Sequence, residues 1–192
     1  MESINKLYIA YINDANYVYT SCNNYIIIMK KYADTTTNEQ RDCISDQSHA
    51  LFRGNNFFVV KIFNKYNPNA TKTHLSLKIN CLKKINFIVN DVIKNDTYDY
   101  NLNNIFTDGI FYYKTIEPAF YSGNVNGEHK SWHPTGKIKT QGKFNGNEKI
   151  GLWKYNDING KLYEKNYDAS INNSCIVIRC IYLFCSCIAM NI

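Results

Sequence analysis

Two histidines, His129 and His133, flank the triplet Lys-Ser-Trp. Imidazoles four residues apart can share a metal ion when a helix puts them on one face. Here Pro134 and Gly136 follow at once, which argues against a helix, and no third ligand stands at a recognised distance. The pair is therefore expected to lie on the surface of a hairpin. Four cysteines near the C-terminus, Cys175, Cys180, Cys185 and Cys187, lack the C-x-x-C spacing of a zinc site. Beside an apolar run they suit either acylation or burial in a terminal element. Asp157 and Glu164 occupy turn and surface positions rather than those of an acid–base pair. No phosphate loop, nucleophile elbow, zinc-protease helix or dinucleotide fingerprint occurs. The expectation is a non-enzymatic protein with no cofactor and no metal.

Binding chemistry is better represented. Between residues 127 and 167, lysines alternate with aromatic side chains. Trp132, Trp153, Tyr155 and Lys154 are the candidate binding residues. Such interleaving can stack the bases of a single-stranded nucleic acid. Yet this stretch lacks arginine, and Glu128, Glu148, Asp157 and Glu164 dilute its charge. A net charge of +6 over 192 residues permits an anionic partner without requiring one. A solvated lysine face over stabilising aromatics is the preferred reading, with protein as the partner rather than nucleic acid.

These residues need elements to hold them. With 45% hydrophobic and 15% aromatic residues, the chain is expected to fold, as one ordinary domain or two small ones. Residues 1–105 form a β-rich region. Within it the segments LYIAYI (7–12), NYVYT (16–20) and NYIIIMKKY (24–32) read as strands. The segments FFVVKIF (57–63) and HLSLKI (74–79) read as the two arms of a long-loop hairpin. Residues 33–48 lack an apolar period and read as a surface loop. Leu82, Ile85, Val89, Val92 and Ile93 fall at helical spacing, so one short amphipathic helix is expected there.

Eight of the nine glycines lie between Gly109 and Gly160, and there the chain repeats itself. Gly127 and Gly151 are 24 residues apart, as are Gly136 and Gly160. Each pair brackets an aromatic strand, a turn (HPTG or DING) and a second strand, so residues 106–168 are expected to be β-hairpin repeats. The four glycines are assigned to turns. The segment GIFYYKTIEPAFYSG (109–123) reads as a degenerate first unit, two strands about a turn carrying Pro118. Strand alternation places Ile138, Thr140, Gly142 and Phe144 on one face, with Trp153 and Tyr155 sharing a face. Gly142 leaves room for an aromatic ring. The second repeat counts eight steps from Gly136 to Phe144, the third only seven from Gly160 to Tyr167, so unit three needs a bulge or ends the array. The fold class is mainly β, an N-terminal β-rich region with one helix followed by stacked β-hairpins. Residues 169–192 make a hydrophobic, Cys-rich tail, shorter in its apolar run than a membrane span.

The text NGEHKSWHPTGKIKTQGKF and NGNEKIGLWKYNDINGKLYEKNY, with DGIFYYKTIEPAFYSG before it, resembles MORN-type repeats. The resemblance is to the variant form found in bacterial antitoxin-like proteins and in proteins of giant DNA viruses. The likeness covers under a third of the chain. It implies a stacked-hairpin sheet with scaffold or protein-binding roles, in some members with membrane association, and no catalytic residues to carry over. About one residue in seven is Asn, which fits an AT-rich genome such as a giant virus. Polar residues interrupt every apolar run at the N-terminus, and seven cysteines make an odd number. Together these predict a cytoplasmic protein with reduced thiols, in the host cytoplasm if viral. The alternative is a peripheral membrane protein held by its tail and surface lysines.

Overall fold

The computed structural model describes residues 1–78 and 84–168. In chain order the elements are helices α1 (Glu2–Leu7) and α2 (Ile9–Ile12), then strands β1 (Tyr17–Cys22), β2 (Tyr25–Lys30), β3 (Phe52–Gly54) and β4 (Asn56–Asn64). Strands β5 (Thr71–Lys72), β6 (His74–Lys78), β7 (Lys84–Ile88), β8 (Val92–Lys94) and β9 (Ile110–Tyr112) follow. Helix α3 (Ile116–Tyr121) leads to β10 (Gly127–Trp132), β11 (Ile138–Asn145), β12 (Glu148–Asn156) and β13 (Leu162–Asn166). The protein is mainly β, with 44% of the described residues in strands and 10% helical.

The first body is built around the antiparallel sheet β1-β2-β4, with β5 and β8 pairing opposite ends of β4. Its centre is the run Ile26, Ile27, Ile28, Met29, every member fully buried. A run with no polar alternation is what a strand covered on both faces requires. Ile26 and Ile28 face α1 and α3, joining Ile4, Tyr8, Tyr19, Phe63, Ile116 and Ala119. Ile27 and Met29 face the small sheets β3-β9 and β6-β7, through Phe52, Tyr112 and Phe87. The β1–β2 hairpin closes at Asn23, whose φ of 52° suits its short amide side chain.

Several local expectations are corrected. Residues 7–12 are helical rather than extended, because Ile4, Tyr8, Tyr11 and Ile12 recur at helical spacing and pack on one face of the sheet. The expected helix after residue 80 is instead β7 and β8, with Leu82 outside the described residues. Ile85 and Phe87 alternate inward, and Asn90, at φ 66°, breaks the chain between the two strands. His74–Lys78 pairs with β7, not with β4, whose partner across the long loop is only Thr71–Lys72. Residues 33–48 do form a loop, yet Asn38 and Arg41 within it are buried.

The supposed first repeat unit is no hairpin. Its first arm, β9, pairs with β3 of the first body, and its second arm is α3. Pro118 is the third residue of that helix, where a missing N–H breaks no intrahelical bond. The other two units fold as expected, into the four-stranded antiparallel sheet β10-β11-β12-β13. The tail from residue 169 onward, with its cysteines, lies outside the described residues.

Candidate interaction surface

The hairpin sheet is built on glycine–aromatic contacts. β11 alternates in burial along its whole length, with Ile138, Thr140, Gly142 and Phe144 on the inner side. Trp153, only 1% exposed, lies across Gly142; a Cβ placed there would meet the indole at 2.3 Å. Opposite Gly142 the pairing steps from Gln141↔Lys154 to Lys143↔Ile150, so three residues of β12 face one of β11. Gly151 sits in this bulge at φ 64°, its N–H donating to Asp168 Oδ1 and its carbonyl accepting from the Tyr167 N–H. Gly151 is thus a bulge residue rather than a turn residue. Gly127 opens β10 at φ 74°, while Gly136 and Gly160 close their turns at φ 93° and 89°. The step difference between the repeats also has a place. The β10–β11 register shifts between Ser131 and Trp132, whereas β12–β13 runs without a shift from Leu152↔Asn166 to Asn156↔Leu162. The extra residue belongs to unit two, not unit three.

Around Trp153 the rings close into one cluster. Phe144 meets it edge-on at 4.9 Å, His129 lies 5.4 Å away, and Tyr155 and Tyr167 lie at 6.1 and 6.2 Å. Lys149 Nζ sits 4.4 Å above the indole and 4.9 Å above Tyr155, donating to the Tyr155 hydroxyl at 2.9 Å. Tyr163 stacks on Tyr155 at 4.7 Å with nearly parallel planes. Burial, then the hydrogen bond with Tyr167, keeps Tyr155 in its phenol form far into alkaline pH. His129 is not a free surface histidine. Burial and the nearby Lys149 ammonium push its pKa below the ordinary value, and its Nδ1 is buried without a partner. His133 Nε2 lies 2.8 Å from the Asn156 carbonyl, tying the two repeat turns together. Among the described residues no three of His, Cys, Asp and Glu converge as metal ligands.

The other face is polar. Register places Lys130, Gln141, Lys154 and Glu164 in one row across the four strands, with Lys143 and Leu152 beside it. Lys154 is half exposed and 3.6 Å from Glu164. Such an exposed pair contributes little stability.

The four residues singled out for binding therefore go to three places. Trp153 and Tyr155 stand together on the aromatic face; Lys154 is on the opposite face. Trp132 lies at the junction with the first body, stacked on His49 at 5.0 Å and near Tyr121 at 6.1 Å. That junction is a second cluster which sequence reasoning missed. His49 Nδ1 is 2.6 Å from Asp46 Oδ2, its Nε2 is 3.2 Å from Glu117 Oε2, and Lys130 donates to Glu117 Oε1 at 2.8 Å. Burial would raise both carboxyls, but hydrogen bonds from His49 to each, and from Lys130 to Glu117, outweigh it and hold both below their usual range. The HPTG turn docks beside this cluster. Ser45 and Asp46 N–H groups donate to the Thr135 carbonyl, and Arg41 Nη2 donates to the Pro134 carbonyl at 2.6 Å. A Cβ on Gly136 would fall 2.1 Å from the Asp46 carbonyl oxygen. His49–Asp46 and Lys130–Glu117 are contacts over 3 and 13 residues, but His49–Glu117 and Arg41–Pro134 join residues 68 and 93 apart, so no local spacing announces the cluster.

The chain matches no family model, no curated protein and no solved structure with which it was compared. No helix among the described residues is long and apolar enough to cross a membrane.

Proposed function

We propose that this protein is a non-enzymatic interaction module whose later sheet, MORN-like in its repeat, binds another protein. The observation carrying this reading is the exposure of Tyr163 and Leu152 on the terminal hairpin, at 46% and 51%. Neither is needed for the core that Trp153 makes, and both sit on a sheet already rigid without them. Large side chains exposed on a rigid support lose little freedom on binding. Tyr163 is backed by the Tyr155 ring and so presents a fixed aromatic surface. Among the described residues β13 pairs with β12 alone, which leaves its second edge to accept an added strand.

The test is a photo-crosslinking residue at position 163, with the same group at exposed Asp34 as control, in native cells. A discrete adduct with one protein from position 163 alone is expected. Absence of any position-specific adduct overturns the reading. Recovery of the protein in membranes, released only by detergent, instead favours the peripheral membrane alternative.

A further inference from the structure

Two segments distant in the chain meet where β4 pairs with β8, at Asn56↔Lys94. They border a depression of about 210 Å³ lined by Asn55, Asn56, Lys94, Asn95, Asp96 and Tyr100. None of the six is part of the buried core or of the hairpin sheet. The three carboxamides among them are fixed in the same way. Asn55 Oδ1 accepts from the Thr36 N–H at 2.8 Å, and Asn56 Oδ1 from the Thr35 hydroxyl at 2.8 Å. Asn95 Oδ1 accepts from the Thr97 N–H at 3.1 Å and the Thr97 hydroxyl at 3.0 Å. Each amide oxygen is thus occupied, while each Nδ2, with two N–H donors, has no partner among the described residues. The backbone braces these groups: the Asn95 N–H donates to the Asn55 carbonyl at 2.7 Å, and the Asn55 N–H to that of Thr36 at 3.1 Å.

Lys94 and Asp96 are exposed at the same depression, and neither side chain makes an ion pair or hydrogen bond among the described residues. Tyr100 supplies the one aromatic wall. It is 70% exposed, with its ring perpendicular to that of buried Tyr98 at 5.2 Å. The Arg53 guanidinium lies 4.7 Å from the Tyr98 ring centre and donates to the Asp99, Asn101 and Asn104 carbonyls of the same loop. A planar fork satisfied by several carbonyls fixes a backbone, so Tyr100 stands on a braced loop.

This inventory selects a ligand. An anion would suit the amides and Lys94 but is opposed by Asp96; a cation would suit Asp96 but is opposed by Lys94 and the amide N–H groups. An apolar molecule would leave every lining group except Tyr100 without a hydrogen bond. A neutral molecule with several hydroxyls satisfies donors and acceptor together, because each hydroxyl is both. If it also has a C–H face, that face can lie on the Tyr100 ring. A sugar ring has both surfaces. We infer that this depression is a saccharide-binding site, with Tyr100 against the sugar ring, the Asn55, Asn56 and Asn95 amides donating to its hydroxyls, and Asp96 accepting from them. A second depression of about 380 Å³ shares Lys94, Asn95 and Asp96 and extends past Asn86 and Thr97, which gives room for a further sugar unit. The site lies on the first body and is independent of the interaction assigned to the hairpin sheet.

Cellotriose, maltotriose and chitotriose are the probes, each titrated into the isotopically labelled full chain under reducing conditions. The readout is the side-chain amide signals of Asn55, Asn56 and Asn95 in nitrogen–proton correlation spectra. At least one probe is expected to shift them along a saturating curve with a Kd on the order of 1 mM, the strength that a small open site supports. Tyr100→Ala and Asp96→Ala should each weaken binding by about tenfold or more at an unchanged melting temperature, since both side chains are exposed. Tyr100→Phe keeps the ring and should bind within about threefold of the parent. Phe106→Ser, on the same loop but outside the depression, should bind like the parent. No saturable shift with any probe, or binding that survives both alanine variants, overturns the proposal. Shifts with adenosine and none with the saccharides would assign the ring to a nucleobase and overturn it equally.

Discussion

The first body and the hairpin sheet solve the same problem in opposite ways. In the body a strand run such as Ile26 to Met29 is buried on both faces by separate layers. Its stability comes from apolar area and from close packing between elements distant in sequence. The hairpin sheet has a single layer. It makes its core from one tryptophan laid across one glycine, with rings from its own strands gathered around. Stability that is spread over many side chains tolerates single changes, whereas stability centred on one contact does not. The contrast predicts which parts fail first and by how much.

The sharpest way to break the comparison is Gly142→Val. A branched side chain would occupy the position of the indole, costing about 3 kcal/mol or more. Hydrogen exchange should show β10 to β13 exposed while β1, β2 and β4 stay protected. Uniform loss of protection would mean that the two parts fold as one unit. Gly136→Ala should come next, at about 2–3 kcal/mol, because it adds strain at φ 93° to a clash with the Asp46 carbonyl. Its distinguishing sign is release of the sheet from the body: fluorescence of Trp132, stacked on His49, should change before that of Trp153, as read in single-tryptophan backgrounds.

pH separates the two parts further. Lys65, 2% exposed, donates to the Ser122 carbonyl, and burial lowers its pKa to about 8. The unfolded chain then holds a proton that the folded one has lost between pH 8 and about 10. The body should therefore gain stability as pH rises through that window, by on the order of 1 kcal/mol per pH unit. Lys65→Met should flatten the rise in urea melts; an unchanged slope would assign it elsewhere. In the sheet, His129 is held neutral by burial, so the sheet should lose stability as pH falls below about 6.5, the unfolded value. His129→Phe should remove that acid sensitivity from exchange rates in β10 and β11. The smallest effect is expected at Gly160, where a Cβ meets nothing within 4 Å and only the φ of 89° resists. Gly160→Ala should cost about 1–2 kcal/mol and leave the body untouched. A loss as large as that from Gly136→Ala would show that close approach is not what distinguishes the two turns.

Much of the hairpin sheet was legible because its rules are local. Glycines at fixed spacing, a Pro-Thr-Gly turn and strict alternation in β11 depend on near neighbours along the chain. The helices were less legible: LYIAYI is rich in strand-forming types, and only the face shared by Ile4, Tyr8, Tyr11 and Ile12 reveals its period. Pro118 misled for a related reason, since proline suits a turn and a first helical turn equally.

Alone, the residue order determined that the chain is mainly β, that glycine opens each repeat, and that Trp153 and Tyr155 share a face. Tertiary structure alone decided that Trp132 leaves its repeat for His49, that β9 and α3 join the first body, and that Arg53 secures a loop some fifty residues away. Turn and alternation chemistry acts over a few bonds and can be read along the chain. Contacts across 50 to 90 residues depend on which surfaces meet once the chain has collapsed, and no spacing in the sequence encodes them directly.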